Sequence, residues 1–129
     1  MNINGDSIVN SDAFLVSPRV LFSSCIVGSD GREQGVIKDC VFDLFLGRIV
    51  YVMVAFHGKP EGRLFAVPWP MLTPLPDEGV FRLSMDPDDF SWDYSYDRDD
   101  APHVTGRTLA DAIYRHYRCT PYWITGEGI

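Results

Sequence analysis

The chain has 129 residues, little cysteine, no long apolar run and a shortage of positive charge, and each shortage excludes something. Cys25, Cys40 and Cys119 are odd in number and none stands in a Cys-x-x-Cys pair. That excludes a disulfide framework or a zinc ribbon and leaves three free thiols, with Cys25 and Cys40 as small core residues on strands. The longest nearly uncharged apolar run, Ile49 to Phe56, is far shorter than the roughly 18 residues that suggest a membrane span. Met1 to Asp12 carries no Lys or Arg and no apolar signal core, so the expectation is a cytoplasmic protein without direct membrane insertion. No glycine-rich phosphate loop with a following Lys is present.

What is there suits one small globular domain with an appendage. Apolar residues make up 46% and charged residues 22%, and a chain of this length buries enough surface to fold without a disulfide or metal. The net charge of −7 is concentrated between Asp86 and Asp100, where seven Asp face one Arg. Such a surface repels phosphate backbones, which excludes nucleic acid as a partner and favours a basic protein.

Along the chain, residues 1–18 read as an N-terminal arm that docks Phe14 and Leu15, residues 19–90 as a β-rich domain, and residues 91–129 as an acidic aromatic loop, a helix and a tail. Arg19 to Val27 is rich in strand-favouring residues, and Ser29-Asp30-Gly31-Arg32 supplies a hairpin turn. Gln34 to Phe45 breaks strict alternation, which a bulge near Asp39 or Cys40 reconciles. Arg48 to Phe56 is apolar on both faces, with Val50, Val52, Val54 and Phe56 on one and Ile49, Tyr51, Met53 and Ala55 on the other. Its outer face needs a cover, supplied either by the C-terminal segment or by a second chain.

After the loop His57 to Gly62, the spacing predicts a short strand from Arg63 to Val67, a rigid corner at Pro68-Trp69-Pro70, a turn at Pro76 to Gly79 and a last strand from Val80 to Ser84. Asp86 followed by Pro87 predicts one helical turn as far as Phe90. A final helix is expected from Leu109 to Tyr117, capped by Thr108, with Pro121 ending any continuation.

The turn glycines Gly28, Gly31, Gly35 and Gly47, the acids Asp39 and Asp43, Tyr51, and the corner Ala66, Pro68 and Trp69 together resemble the PRC-barrel family. The resemblance spans about Arg19 to Phe90 and implies a mainly β fold: a small barrel followed here by a short C-terminal α-helix and an aromatic tail. Tyr114, Tyr117, Pro121, Tyr122 and Trp123 are similar to the ending of some bacterial single-barrel members. The family includes the cytoplasmic domain of a reaction-centre H subunit and the C-terminal domain of a ribosome maturation factor. It therefore implies an architecture more firmly than a task.

Chemistry-bearing constellations are sparse. His116 and Cys119 are three apart without further ligands nearby, so they read as surface residues rather than half of a zinc site. Asp86, Asp88 and Asp89, or Asp97, Asp99 and Asp100, lack the spacing of a helix-loop-helix calcium site and read as a solvated acidic loop. A filled small barrel leaves little room for substrate, so no enzyme and no cofactor are expected. Trp92, Tyr94, Tyr96, Tyr122 and Trp123 either seal the domain or bind a partner. The expectation is a non-catalytic interaction module that forms a homodimer through Ile49, Tyr51, Met53 and those aromatics. The alternative is a small-ligand or metal-binding protein with its site at a barrel mouth near His57, Trp69 and Asp43. Peripheral association with a membrane complex is a third reading, and it requires a membrane-protein partner.

Overall fold

The computed structural model describes residues 15–100 and 105–125. Most of the expected arm, with Phe14, lies outside the described residues. Leu15 is 80% exposed and does not dock as expected.

Ser17 and Pro18 open the described chain with a helix rather than a strand. The Ser17 hydroxyl accepts from the Val20 N–H, Pro18 supplies a preset φ, and α1 runs Pro18–Leu21. Only Cys25–Val27 of the expected first strand pairs as β1. Gly31, at φ 83°, then closes the turn into β2, Glu33–Asp43. After β2 come β3 (Arg48–Phe56), β4 (Arg63–Pro68), a 3-10 turn over Trp69–Met71, β5 (Leu72–Leu75) and β6 (Val80–Leu83). With β7 (Ser95–Asp97), the seven strands form one sheet in the order β5-β6-β1-β2-β3-β4-β7, antiparallel except for β1 beside β6. No ladder joins β5 to β7, so the sheet curls around its core without closing by backbone bonds among the described residues.

Between β2 and β3, two bulges contribute to that curl. Ile37 faces Val54 and Asp39 faces Met53, which leaves Lys38 as the extra residue in β2. Val41 faces Tyr51 and Phe42 faces Ile49, which leaves Val50 as the extra residue in β3. The first is the bulge that the broken alternation requires. The second corrects the assignment of faces, because it turns Ile49 toward the interior and puts Val50 with Tyr51 and Met53 on the outside.

Ile26, Ile37, Val52, Val54, Phe65, Val67 and Leu83 fill the interior. Phe90 stacks on Phe56 at 5.3 Å and on Tyr117 at 5.1 Å, plugging the end of the sheet where β3 finishes. Asp86 caps the 3-10 turn Pro87–Asp89 as anticipated.

The stretch after Phe90 is not a loop beside the domain. Following a 3-10 turn at Trp92–Tyr94, Ser95–Asp97 forms β7 on the edge of β4. Arg63 holds it there, donating to Ser95 Oγ at 3.0 Å, to the Ser95 carbonyl at 3.1 Å and to Asp97 at 3.0 Å.

The long C-terminal helix, α2, spans Arg107–His116 and starts at Gly106 with φ 115°, without the expected Thr108 cap. Its buried Ala110, Ile113 and Tyr114 lie on Val50, Tyr51, Met53, Leu64 and Ala66. Arg118 at φ 61° then reverses the chain, with the Cys119 N–H on the Tyr114 carbonyl, before Pro121 is reached. A short α3 follows at Tyr122–Thr125.

Gly35 sits where β2 crosses β3 closely, and an added Cβ would stand 2.6 Å from the Ala55 carbonyl oxygen. Gly35→Ala is expected to cost roughly 1–3 kcal/mol in urea unfolding, because backbone must move to admit the methyl. A chain ending at Phe90 uncovers Tyr51, Met53, Leu64 and Ala66 together. It is expected to lose cooperative thermal unfolding, and a sharp melt at the full-length temperature would contradict the packing described.

Candidate functional site

Asp43, the last residue of β2, builds the surface of most interest. Its Oδ1 accepts the backbone N–H groups of Phe45 and Leu46, both at 3.1 Å, while the Gly47 N–H bonds the Asp43 carbonyl at 2.8 Å and Gly47 takes φ 68°. This is the local bonding for which Asp is favoured in turns. The other oxygen serves the far end of the chain. Oδ2 accepts the Tyr122 hydroxyl at 2.6 Å and the Arg107 guanidinium at 3.3 Å. One carboxylate, with 8% of its side chain exposed, therefore fastens the β2–β3 turn to both ends of the C-terminal segment.

The surrounding contacts complete the latch. The Arg48 guanidinium lies 4.2 Å from the Tyr122 ring centre, and that of Arg107 lies 4.5 Å from the Trp123 ring centre. Trp123 Nε1 donates to Asp111 at 2.7 Å, and the Tyr114 hydroxyl donates to the Val50 carbonyl. The Asp43 carboxyl is held below its ordinary pKa, first by the Tyr122 hydroxyl and then by the Leu46 N–H. The Tyr122 hydroxyl is pushed up, first by desolvation and then by its bond to Asp43.

Because the carboxylate draws the turn's backbone inward, the side chains beside it point out. Leu44 is 88% and Phe45 94% exposed, and Phe42 is also exposed. Sequence reasoning missed these three. The available signal was three apolar residues around Asp43 just before a turn glycine, where a tip has no core to enter.

The residues picked as partner contacts mostly serve this chain instead. Tyr51 and Met53 are buried beneath α2, so the cover of the outer face is the C-terminal segment and these two residues are closed to a second chain. Ile49 packs against the interior. Tyr122 and Trp123 belong to the latch. Tyr94 stacks on His116 at 5.3 Å, and Tyr96 sits on β7. Trp92 is 52% exposed, with its ring edge-on to Phe65 at 5.1 Å and Lys59 5.5 Å from its centre. Of the motif residues, Pro68 ends β4 and Trp69 begins the 3-10 turn, its ring 5.6 Å from Phe81. Asp39 accepts the Cys40 N–H at 2.8 Å.

The proposed mouth of His57, Trp69 and Asp43 does not assemble. Asp43 pairs with Arg48 at the start of β3, whereas His57 follows its last residue, Phe56. Strand rise separates them by roughly 25 Å. His57 instead meets Glu33 at 2.9 Å. Asp88 pairs with Lys59 and Asp97 with Arg63, and no group of three or more His, Cys, Asp or Glu among the described residues is placed to hold a metal. Cys119 Sγ lies 3.8 Å from the Tyr117 carbonyl rather than pairing with His116.

A small, bulged, mainly antiparallel sheet wound about one core, with a rigid turn carrying exposed apolar side chains, defines a compact β module. The family model of the PRC-barrel domain matches residues 21–83, which run from the end of α1 to the end of β6, in agreement with the resemblance carried by the turn glycines and the Pro68-Trp69 corner. The matched part is just under half of the chain. β7, α2 and α3, and with them most of the latch, lie beyond it. No curated protein matches the chain.

A carboxyl depressed in the folded state contributes stability that is complete above its unfolded pKa, about 4, and is lost as pH falls through the lower folded value. Trp123 fluorescence is therefore expected to hold steady from neutral pH down to about 4 and to change below it. Asp43→Asn should remove that acid step and lower the melting temperature at pH 7. An unchanged acid transition in the Asn variant would show that Asp43 does not control tail docking.

Proposed function

We propose that this protein is a non-catalytic protein–protein interaction module of the PRC-barrel type whose contact surface is the tip of the β2–β3 turn. The observation that carries this reading is the near-complete exposure of Leu44 and Phe45 on a turn that Asp43 anchors rigidly. Apolar side chains held out in a fixed geometry lose little freedom on binding, and aromatic anchors of this kind dominate interface energetics.

In this reading the partner is a basic protein drawn by the net charge of −7, with an association that weakens as salt rises. The same charge opposes nucleic acid. A second copy of the chain meets its counterpart through the same tip, not through the outer face of β3. The module works in the cytoplasm, and no helix among the described residues is long and apolar enough to cross a membrane. Its non-catalytic character is supported by the thiols: burial pushes Cys40 up to about 12 and also raises Cys25 and Cys119, which leaves none activated as a nucleophile.

Leu44→Asp and Phe45→Asp test the reading because both positions are exposed and neither should alter the melting temperature. Capture of a protein partner, and self-association followed by light scattering, are expected to weaken on the order of thirtyfold in each variant, the size of a hot-spot loss. Unchanged capture by both variants would mean that the tip is not the contact.

A further inference from the structure

Between β2 and the start of α2 lies a cleft of about 590 Å³ with a divided lining. Val41, Val50, Met53 and Ala110 make an apolar floor, and Asp39 supplies a carboxylate beside it. Asp43 and Arg107 also border the cleft, but they neutralise each other at 3.3 Å. Asp39 has one oxygen on the Cys40 N–H at 2.8 Å and makes no ion pair among the described residues. The net charge of the lining is therefore a single negative one over a hydrocarbon surface. At the rim, Phe42 and Leu44 connect the cleft directly to the exposed turn.

An aliphatic stem ending in a cation matches this lining. Lysine and arginine side chains lay their methylene groups along apolar surface and keep the charged head at a polar site. A free anion meets Asp39 with the wrong sign, and a purely apolar side chain leaves the carboxylate without a counter-charge. We infer that the cleft between β2 and α2 receives a lysine or arginine side chain of the partner polypeptide, with the stem over the part-exposed Val41 and the cation at Asp39. The inference deepens the interaction reading and rests on it: the tip supplies apolar contact while the adjacent cleft selects a basic residue. Charge complementarity thereby acquires a location.

The test uses the full chain, ¹⁵N-labelled, titrated with Nα-acetyl-lysine amide and Nα-acetyl-arginine amide and followed by amide chemical shifts. Saturable shifts are expected at Cys40, Val41, Thr105 and Ala110. The neutral, similarly shaped Nα-acetyl-norleucine amide should bind roughly tenfold more weakly, the scale of a lost charged hydrogen bond. Asp39→Asn should weaken lysine amide by a similar factor. Thr105→Lys, an exposed change at the rim, should do the same without touching the Asp39–Cys40 bond. Shifts away from the cleft, equal binding of norleucine amide, or unchanged binding by both variants would overturn the inference. None of those outcomes bears on Leu44→Asp and Phe45→Asp, so an interaction reading that fails at the tip is distinguishable from a cleft that binds no cation.

Discussion

A strand that is apolar on both faces imposes two separate burials, and β3 is such a strand. Val52, Val54 and Phe56 are buried by the curled sheet, while Val50, Tyr51 and Met53 are buried by α2. Neither cover suffices alone, since the uncovered face would present a contiguous apolar patch to water. The remaining architecture serves these two burials. Bulges at Lys38 and Val50 bend the sheet around the first, and small Ala66 and Ala110 let the helix approach for the second. Asp43 joins them by tying the turn before β3 to Arg107 and Tyr122.

Much of the fold could be read from residue pattern because the pattern was local. The bounds of β3, the Gly31 turn, the need for a bulge near Asp39 and the Asp86 cap each depend on neighbours within a few positions. Where sequence reasoning failed, a distant partner decided. Ser95 to Asp97 is too short and polar to announce a strand, and it becomes one because Arg63 and the free edge of β4 receive it. Arg19 to Leu21 favours strand by composition, yet Ser17 and Pro18 set a helical turn first.

The candidate surface was less legible than the fold. Tyr51, Met53, Tyr122 and Trp123 look like contact residues when their neighbours are unknown, and the chain spends them on itself. Leu44 and Phe45 look like the end of a buried strand until the Asp43 carboxylate is seen to turn the backbone beneath them. Asp39 likewise passes for a structural acid beside Asp43, and only the packing of α2 against β2 and β3 gives it an apolar floor and a separate role. Residue type alone could not separate these cases, because aromatic seals and aromatic anchors share one chemistry.

The helix that covers β3 comes late in the chain: Tyr114 lies 64 positions beyond the Val50 carbonyl it bonds. Synthesis delivers the N-terminal portion first, so the sheet leaves the ribosome with one side finished and the other bare. Throughout that interval the nascent molecule resembles an adhesive strip awaiting its backing. Exposed apolar surface of that kind is prone to aggregate, so a substitution that slows docking of α2 would be felt as lost yield in the cell before any change in the finished protein's stability could be measured.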